Sequence, residues 1–287
     1  MDPVTHPAQI MAVYRRSPHV HPYGIADVQQ LWDTSRWWRR GDAVVGLLRL
    51  GGGDVVYAVA DTTDVARSTL GLLGHLSDIL PDHLVITGPT GLSEVLTGAG
   101  YDADWTDAYD KLHLPADVTL PPASGVTEVL RRRHHDEVVA LIATDPDAGD
   151  FFHAELLDTG HYVGRRLAGA LVAVAGVHVV DPVNRIAAVG NVATHPAHRR
   201  KGHGRAVVVD LLHRLRDEVD VIGLNVRHRT DPARAMYRAI GFVHAVTYEE
   251  AEVTWPRTGR AGDDDAAGDP RDSVRPRAGG RRLTADG

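Results

Sequence analysis

The residues best equipped for chemistry lie in one segment, Thr194-His195-Pro196-Ala197-His198-Arg199-Arg200-Lys201-Gly202-His203-Gly204-Arg205-Ala206. An apolar strand leads into it. A helix leads out, with Val207, Leu211 and Leu215 at i, i+4 spacing. Gly202 and Gly204 let the backbone approach a ligand closely and take conformations closed to other residues. The first N–H groups of a helix have no intrahelical acceptor, and its dipole favours an anion there. Arg199, Arg200, Lys201 and Arg205 add positive charge to a chain whose formal net charge is −7. A strand, a basic glycine turn and a helix make a pyrophosphate cradle; the competing reading is a solvated basic connection. The spacing matches neither GxxxxGK[ST] nor GxGxxG with a downstream acid, which argues against a triphosphate loop and a dinucleotide fold.

A second candidate lies downstream. Leu224-Asn225-Val226 ends a strand, Asp231 is the expected cap of the next helix, and Pro232 suits its first turn. Ala233, Tyr237 and Ile240 share one helix face, and Gly241 stops the helix. Tyr237 is either a core aromatic or a tyrosine whose polar tip enters a site.

These residues need a scaffold, and 287 residues allow one large domain or two small ones. The sequence reads as α/β, with an α/β unit over 1–118, a proline-bearing linker at 119–124, and a second unit over 125–255. Its segment 256–287 is too poor in apolar residues to fold and is expected to be a disordered tail. In the first unit, Ala43–Leu50 and Val55–Ala60 read as a hairpin around Gly51–Asp54. A helix over Val65–Leu80, a strand at His83–Thr87, a helix at Gly91–Thr97 and a strand over Tyr101–Leu114 follow. Trp32, Trp37 and Trp38 are expected on a helix or its end, packed against the unit. In the second unit the spacing predicts helices at Glu128–Ala143 and Phe151–Leu157. Strands are expected at His161–Arg166, Ala170–Val180 and Arg185–Thr194, then helix Gly204–Val219, strand Val221–Arg227, helix Pro232–Ile240 and strand Phe242–Val253.

The chain has no cysteine, which excludes disulfides, thiolate zinc sites and cysteine nucleophiles. Its 17 histidines include no metal-binding spacing such as HExxH. No run of about 18 apolar residues and no leader-like N-terminus is present, so a cytoplasmic protein without a membrane partner is expected. The acidic balance argues against nucleic acid as a partner. A homo-oligomer is compatible with the sequence.

Together the two segments resemble the GNAT superfamily of acyl-CoA-dependent N-acyltransferases. Arg199-x-x-Gly202-x-Gly204 is similar to its Arg/Gln-x-x-Gly-x-Gly/Ala signature, and Ala233-x-x-Met236-Tyr237-x-x-x-Gly241-Phe242 to its AxxLYxxxGF signature. The resemblance covers about residues 125–254. It implies a mixed, mostly antiparallel sheet flanked by helices, preceded here by a second, smaller α/β unit. It implies acetyl-CoA as acyl donor, a primary amine of a small molecule or peptide as acceptor, and direct attack without an acyl-enzyme. The strand before the glycine turn would splay from its neighbour, so that Val192, Ala193 and Thr194 pair with pantetheine. The Val192 N–H would face the thioester oxygen. Backbone N–H groups from Lys201 through Gly202, His203, Gly204 and Arg205 to Ala206 would hold the pyrophosphate, with Arg199 and Arg200 beside them. Tyr237 would protonate the departing thiolate.

This sequence departs from that pattern in two places. Arg185-Ile186-Ala187-Ala188-Val189-Gly190 lacks the carboxylate that often serves as general base, which leaves Asn191, His178 and Glu155 as candidates. Thr230 stands where the family has asparagine at the cofactor end of the second signature. The missing carboxylate keeps a second reading open, an acyl-CoA-binding sensor or scaffold without catalysis. The first unit is expected to be a degenerate copy of the second. Its nearest match to the glycine signature, Arg49-x-x-Gly52-x-Asp54, leads into a strand, so no second cofactor site is expected.

Overall fold

A computed structural model of the chain describes residues 2–50, 52–145, 148 and 152–256. The expected tail beyond 256, Gly51 of the expected hairpin turn and Phe151 lie outside the described residues. In chain order the elements are α1 (Pro7–Tyr14), α2 (Pro22–Gln30), β1 (Ser35–Arg40), β2 (Ala43–Leu50), β3 (Gly53–Tyr57), α3 (Thr63–Leu76), β4 (His83–Gly88), α4 (Leu92–Gly98) and β5 (Asp102–Leu114). The second half supplies β6 (Thr127–Val129), α5 (His135–Ile142), β7 (Val163–Leu167), β8 (Ala170–Asp181), β9 (Ile186–Thr194), α6 (His203–Arg216), β10 (Val221–Arg227), α7 (Asp231–Ile240) and β11 (Val243–Thr254).

Among the described residues the strands form one eleven-stranded sheet in the order β1-β2-β3-β4-β11-β5-β10-β9-β8-β7-β6. Only β3–β4 and β9–β10 pair in parallel. The middle of this order is an exchange. β5, the last strand of the first half, lies between β10 and β11 of the second. β11, the last strand of the chain, lies between β4 and β5 of the first. Each half therefore completes the other's sheet. Residues 1–118 or 125–256 expressed alone should be aggregated or molten, since each would expose a long unpaired edge. Co-expression should restore a soluble complex, and circular dichroism and gel filtration check this.

Some sequence expectations fail locally. The helix expected at Glu128–Ala143 is a short strand, β6, followed by a turn and α5. Its later apolar residues, Val138, Leu141 and Ile142, do face the core. Trp37 and Trp38 are not helical. They sit on β1, on opposite faces, and both are buried because helices cover each side. The first half's helix α3 and the second half's α6 follow corresponding parallel strands, β3 and β9. The counterpart of the glycine turn is therefore Ala58–Val65, not the segment around Gly52. It has no glycine, and Thr62 already caps α3 by accepting from the Val65 N–H at 3.3 Å.

Alternation on the central strands separates two faces of the second half. Ala187, Ile222 and Leu224 join the core under α5, α6 and α7. Ile186 joins a core built by α1 and α2 of the first half. A Cβ on Gly223 would lie 3.3 Å from Pro22, so α2 crosses the β8–β10 region on the face opposite α6 and α7.

Carboxylates of β5 also fix the β10–α7 connection. Asp107 accepts from Arg227 Nη1 at 2.7 Å and Arg229 Nε at 3.2 Å. Asp110, buried, accepts from His228 Nδ1 at 3.0 Å and Thr247 Oγ1 at 2.8 Å, and Arg234 Nε lies 2.7 Å from its other oxygen. Burial alone would raise the Asp110 carboxyl, but these hydrogen bonds and the Arg234 charge outweigh it and hold the group below its ordinary range. A depressed carboxylate contributes stability above its unfolded pKa and loses it as pH falls through the folded value. Asp110→Asn should cost about 3 kcal/mol at pH 7 and lower Tm by about 6–10 °C. Because the wild type loses the same contribution in acid, the two melting curves should begin to converge below about pH 4 and close as pH falls through the depressed folded value. Melting temperature against pH checks it. No described helix is long and apolar enough to cross a membrane.

Candidate active site

Two irregularities in β9 build the site. The parallel register with β10 runs from Ile186/Val221 to Val189/Leu224 and ends there, although β9 continues to Thr194 and β10 to Arg227. Beyond Val189 the strands diverge, while β10 stays paired to β5 on its far side as far as Arg227. On its other edge β9 pairs with β8, but the register skips Asn191 and Val192 between Gly190 and Ala193. This is a β-bulge, and Asn191 takes φ +48° in it, a left-handed conformation that asparagine tolerates. Asn191 is locked there. Its Oδ1 accepts from the Tyr162 hydroxyl at 2.6 Å and its Nδ2 donates to the Ala148 carbonyl at 3.1 Å. The side chain holds the bulge with both its polar ends.

The glycine turn follows directly. Arg200 has φ +64° and Gly202 φ +80°, and α6 starts at His203 with no side chain capping it. A Cβ on Gly202 would meet nothing within 4 Å, so its value is conformational, whereas a Cβ on Gly204 would lie 2.9 Å from Thr194 Oγ1, so Gly204 permits the first turn of α6 to seat against the end of β9. The basic residues divide. Arg199 folds back, donating to the Thr194 carbonyl at 3.1 Å and to Asp145 at 3.0 Å, and Lys201 Nζ donates to the Ala197 carbonyl at 3.0 Å. Arg200 and Arg205 are exposed. Burial lowers the pKa of the His203 imidazole, and the nearby Arg165, His198 and Lys201 lower it further. One expectation needs correction: the Ala206 N–H donates to the Gly202 carbonyl at 3.0 Å. The amides of His203, Gly204 and Arg205, in the first turn, are the ones left without intrahelical acceptors.

Helix α7 presents Tyr237 on its buried face, edge-on to Phe242 at 5.8 Å between ring centroids. Burial, then the charge of Asp145, pushes its hydroxyl well above the ordinary tyrosine value, so it is protonated at neutral pH. Thr230 rather than Asp231 holds the N-cap position of α7, and its carbonyl accepts from the Ala233 and Arg234 N–H groups at 3.2 and 3.1 Å.

The candidate bases separate clearly. Glu155 is on a 3-10 turn at the surface (Ala154–Thr159, not the α-helix expected), hydrogen-bonded by His153 Nδ1 at 3.1 Å and 3.6 Å from Arg132. His178 on β8 lies across Gly190, where a Cβ would be 2.3 Å from its Nε2, at the end of the paired stretch of β9. Burial holds its imidazole down at about 4, so it is neutral at pH 7.

Around His178 is a polar cluster that no motif marks. Lys111 of β5 is buried, donates to Asn225 Oδ1 at 2.9 Å, and lies 4.8 Å from the Tyr23 ring and 5.2 Å from the Tyr248 ring. Burial lowers its ammonium to about 7 and raises Asp27 of α2 to about 7. Glu250 receives the Tyr248 hydroxyl at 3.1 Å. Nothing in the local spacing of Tyr23, Asp27 or Lys111 marks them; only the exchange of β5 and the packing of α2 bring them here. No group of three or more histidine and carboxylate side chains among the described residues could hold a metal ion.

Comparison with known proteins agrees with this geometry. Residues 127–242 match the acetyltransferase (GNAT) family. Over 108 residues, 37% of this chain and 67% of the relative, the sequence is 33% identical to N-alpha-acetyltransferase RimI of Mycobacterium tuberculosis. Among solved structures, a Drosophila protein superposes with a TM-score of 0.63 at 14% identity, covering 88% of this chain and 97% of its own. A GCN5-related N-acetyltransferase from Sphaerobacter thermophilus gives 0.56 at 14% identity, with 88% and 94% covered. A tandem GNAT protein from the clavulanic acid biosynthesis pathway gives 0.50 at 14% identity, with 88% and 94% covered. At these identities the structures bear on the fold, which they share across both halves.

Proposed function

Since the chain belongs to the acetyltransferase (GNAT) family and carries an N-acetyltransferase domain in its C-terminal half, we propose that it transfers acetyl from acetyl-CoA directly to a primary amine of a peptide or small molecule. The observation that carries this reading is the parting of β9 from β10 just ahead of an uncapped helix start. An extended chain fits between diverging strands, and an anion fits the helix start.

In this reading the amides of His203, Gly204 and Arg205, with Gly202 and Lys201 before them, hold the pyrophosphate, and Arg200 supplies charge at the rim. Arg199 shapes the turn through Thr194 and Asp145. Val192, Ala193 and Thr194 pair with pantetheine, and Thr230 borders it at the start of α7. The Val192 N–H, in the bulge, meets the negative charge that develops on the thioester oxygen, an interaction often worth about 3 kcal/mol. Tyr237 keeps its proton at pH 7 and gives it to the departing sulfur. Of the three candidate bases, His178 is supported. Asn191 is committed to the bulge and Glu155 to the surface.

The test is thiol release from acetyl-CoA with a panel of amines, beginning with peptides that carry a free α-amino group, as the RimI similarity suggests, followed by amino sugars and alkyl amines. Acceptor-dependent release supports the proposal. Binding of acetyl-CoA with no acceptor-dependent release across the panel favours the sensor reading.

A further inference from the structure

The catalytic half does not supply all of its own site. We infer that Tyr23, on α2 of the N-terminal half, is a positioning residue of the active centre, orienting His178 toward the acceptor amine from the face opposite the coenzyme cradle. The inference rests on the acetyltransferase reading above.

Three observations carry it. First, α2 lies on the face opposite α6 and α7, with Pro22 over Gly223, and Tyr23 follows Pro22 at the level where β9 and β10 part. Second, the Tyr23 hydroxyl is 3.2 Å from His178 Nδ1, and the opposite edge of the imidazole lies on Gly190. A hydroxyl accepting from Nδ1–H fixes the tautomer whose lone pair is on Nε2, on the β9 side. Third, Tyr237 is among the groups that raise the Tyr23 hydroxyl, after burial, Glu250 and Asp27, and Tyr23 adds to burial in raising Tyr162, whose hydroxyl donates to Asn191 in the bulge. Tyr237 approaches from the α7 face and Tyr23 from the α2 face. The parting strands lie between them.

The proton balance is simple. The amine nitrogen forms a bond to the acetyl carbon and the carbon–sulfur bond breaks. The sulfur takes the Tyr237 proton, and the nitrogen loses its proton to His178 Nε2. Tyr23 holds the ring for the second transfer without exchanging a proton. Burial, then Glu250 and Asp27, raises the Tyr23 hydroxyl, and these carboxylates make this face of the site suited to a basic amine, which attacks in its neutral form. The buried Lys111 keeps the Tyr23 ring in place through its ammonium.

Tyr23→Phe removes one hydroxyl and should fold, with Tm close to wild type. With an acceptor found in the amine panel, kcat should fall about tenfold, less than the roughly 10²–10⁴ of a lost acid–base group because Tyr23 acts only through His178, while the acetyl-CoA Kd stays unchanged. In a His178→Ala background the same substitution should cost nothing more, because a residue that acts only through His178 has no further effect once it is gone. An equal loss in both backgrounds would overturn the inference and leave Tyr23 as a packing residue. An acceptor-free measurement runs alongside. Saturating acetyl-CoA should shift the His178 imidazole nitrogen resonances in the wild type, and Tyr23→Phe should change the tautomer they report. Calorimetric binding of acetyl-CoA with silent His178 resonances sinks this inference alone; absence of binding sinks the acetyltransferase reading with it.

Discussion

Gly202→Glu should weaken acetyl-CoA binding about 100-fold in a protein that is otherwise folded. Two amide-to-phosphate bonds at about 1.5 kcal/mol each already correspond to that factor, and the new carboxylate adds repulsion at the same place. The control is built into the geometry. Gly202 is exposed, and a Cβ there meets no atom within 4 Å. Only its φ of +80° penalises another residue, at about 1–2 kcal/mol, which lowers Tm by a few degrees at most for a chain of this size. Calorimetry beside a melting curve separates the two effects. Unchanged affinity in the variant would remove the α6 start from the cofactor site.

Tyr237→Phe should lower kcat about 100-fold, the lower part of the range for a lost acid–base group, and leave acetyl-CoA affinity nearly unchanged. The ring stays, so its contact with Phe242 and its place on the buried face of α7 stay. The hydroxyl is held far above its ordinary pKa by burial. It is therefore protonated throughout the neutral range, and the loss should be nearly the same at pH 6 and pH 9. Steady-state kinetics at the two pH values check this. A loss confined to affinity would make Tyr237 a packing residue of the core.

Much of this site was legible because its parts are local. Gly202, Gly204 and the basic residues around them announce a turn and a helix start within about a dozen residues, and Tyr237 sits four residues before a helix-stopping glycine. The strands β2, β8, β9 and β10 are apolar runs long enough to read directly. Other features depend on residues far apart in sequence. The bulge at Asn191 shows in the register against β8, not in the residue types. Nothing along Asp102–Leu114 says that β5 pairs with β10 and β11, because strand pairing is set by the whole sheet. That exchange buries Lys111 and places Asp107 and Asp110 against the β10–α7 connection. Tyr23 likewise reaches His178, 155 positions away, only because α2 packs on the other half. The short strand β6 was hidden because Glu128–Leu130 also fits the phase of the helix that follows it.

The exchange also gives the first half a structural purpose. Its own helix start is capped by Thr62 and carries Asp61 and Asp64, which repel phosphate. What it contributes is β5 in the shared sheet and α2 on the face opposite α6 and α7.

Calorimetric titration of the full chain with acetyl-CoA tests the central claim most directly. The open start of α6 beside the parting of β9 from β10 predicts saturable binding of one acetyl-CoA per chain. No binding, or two molecules per chain, would contradict the account.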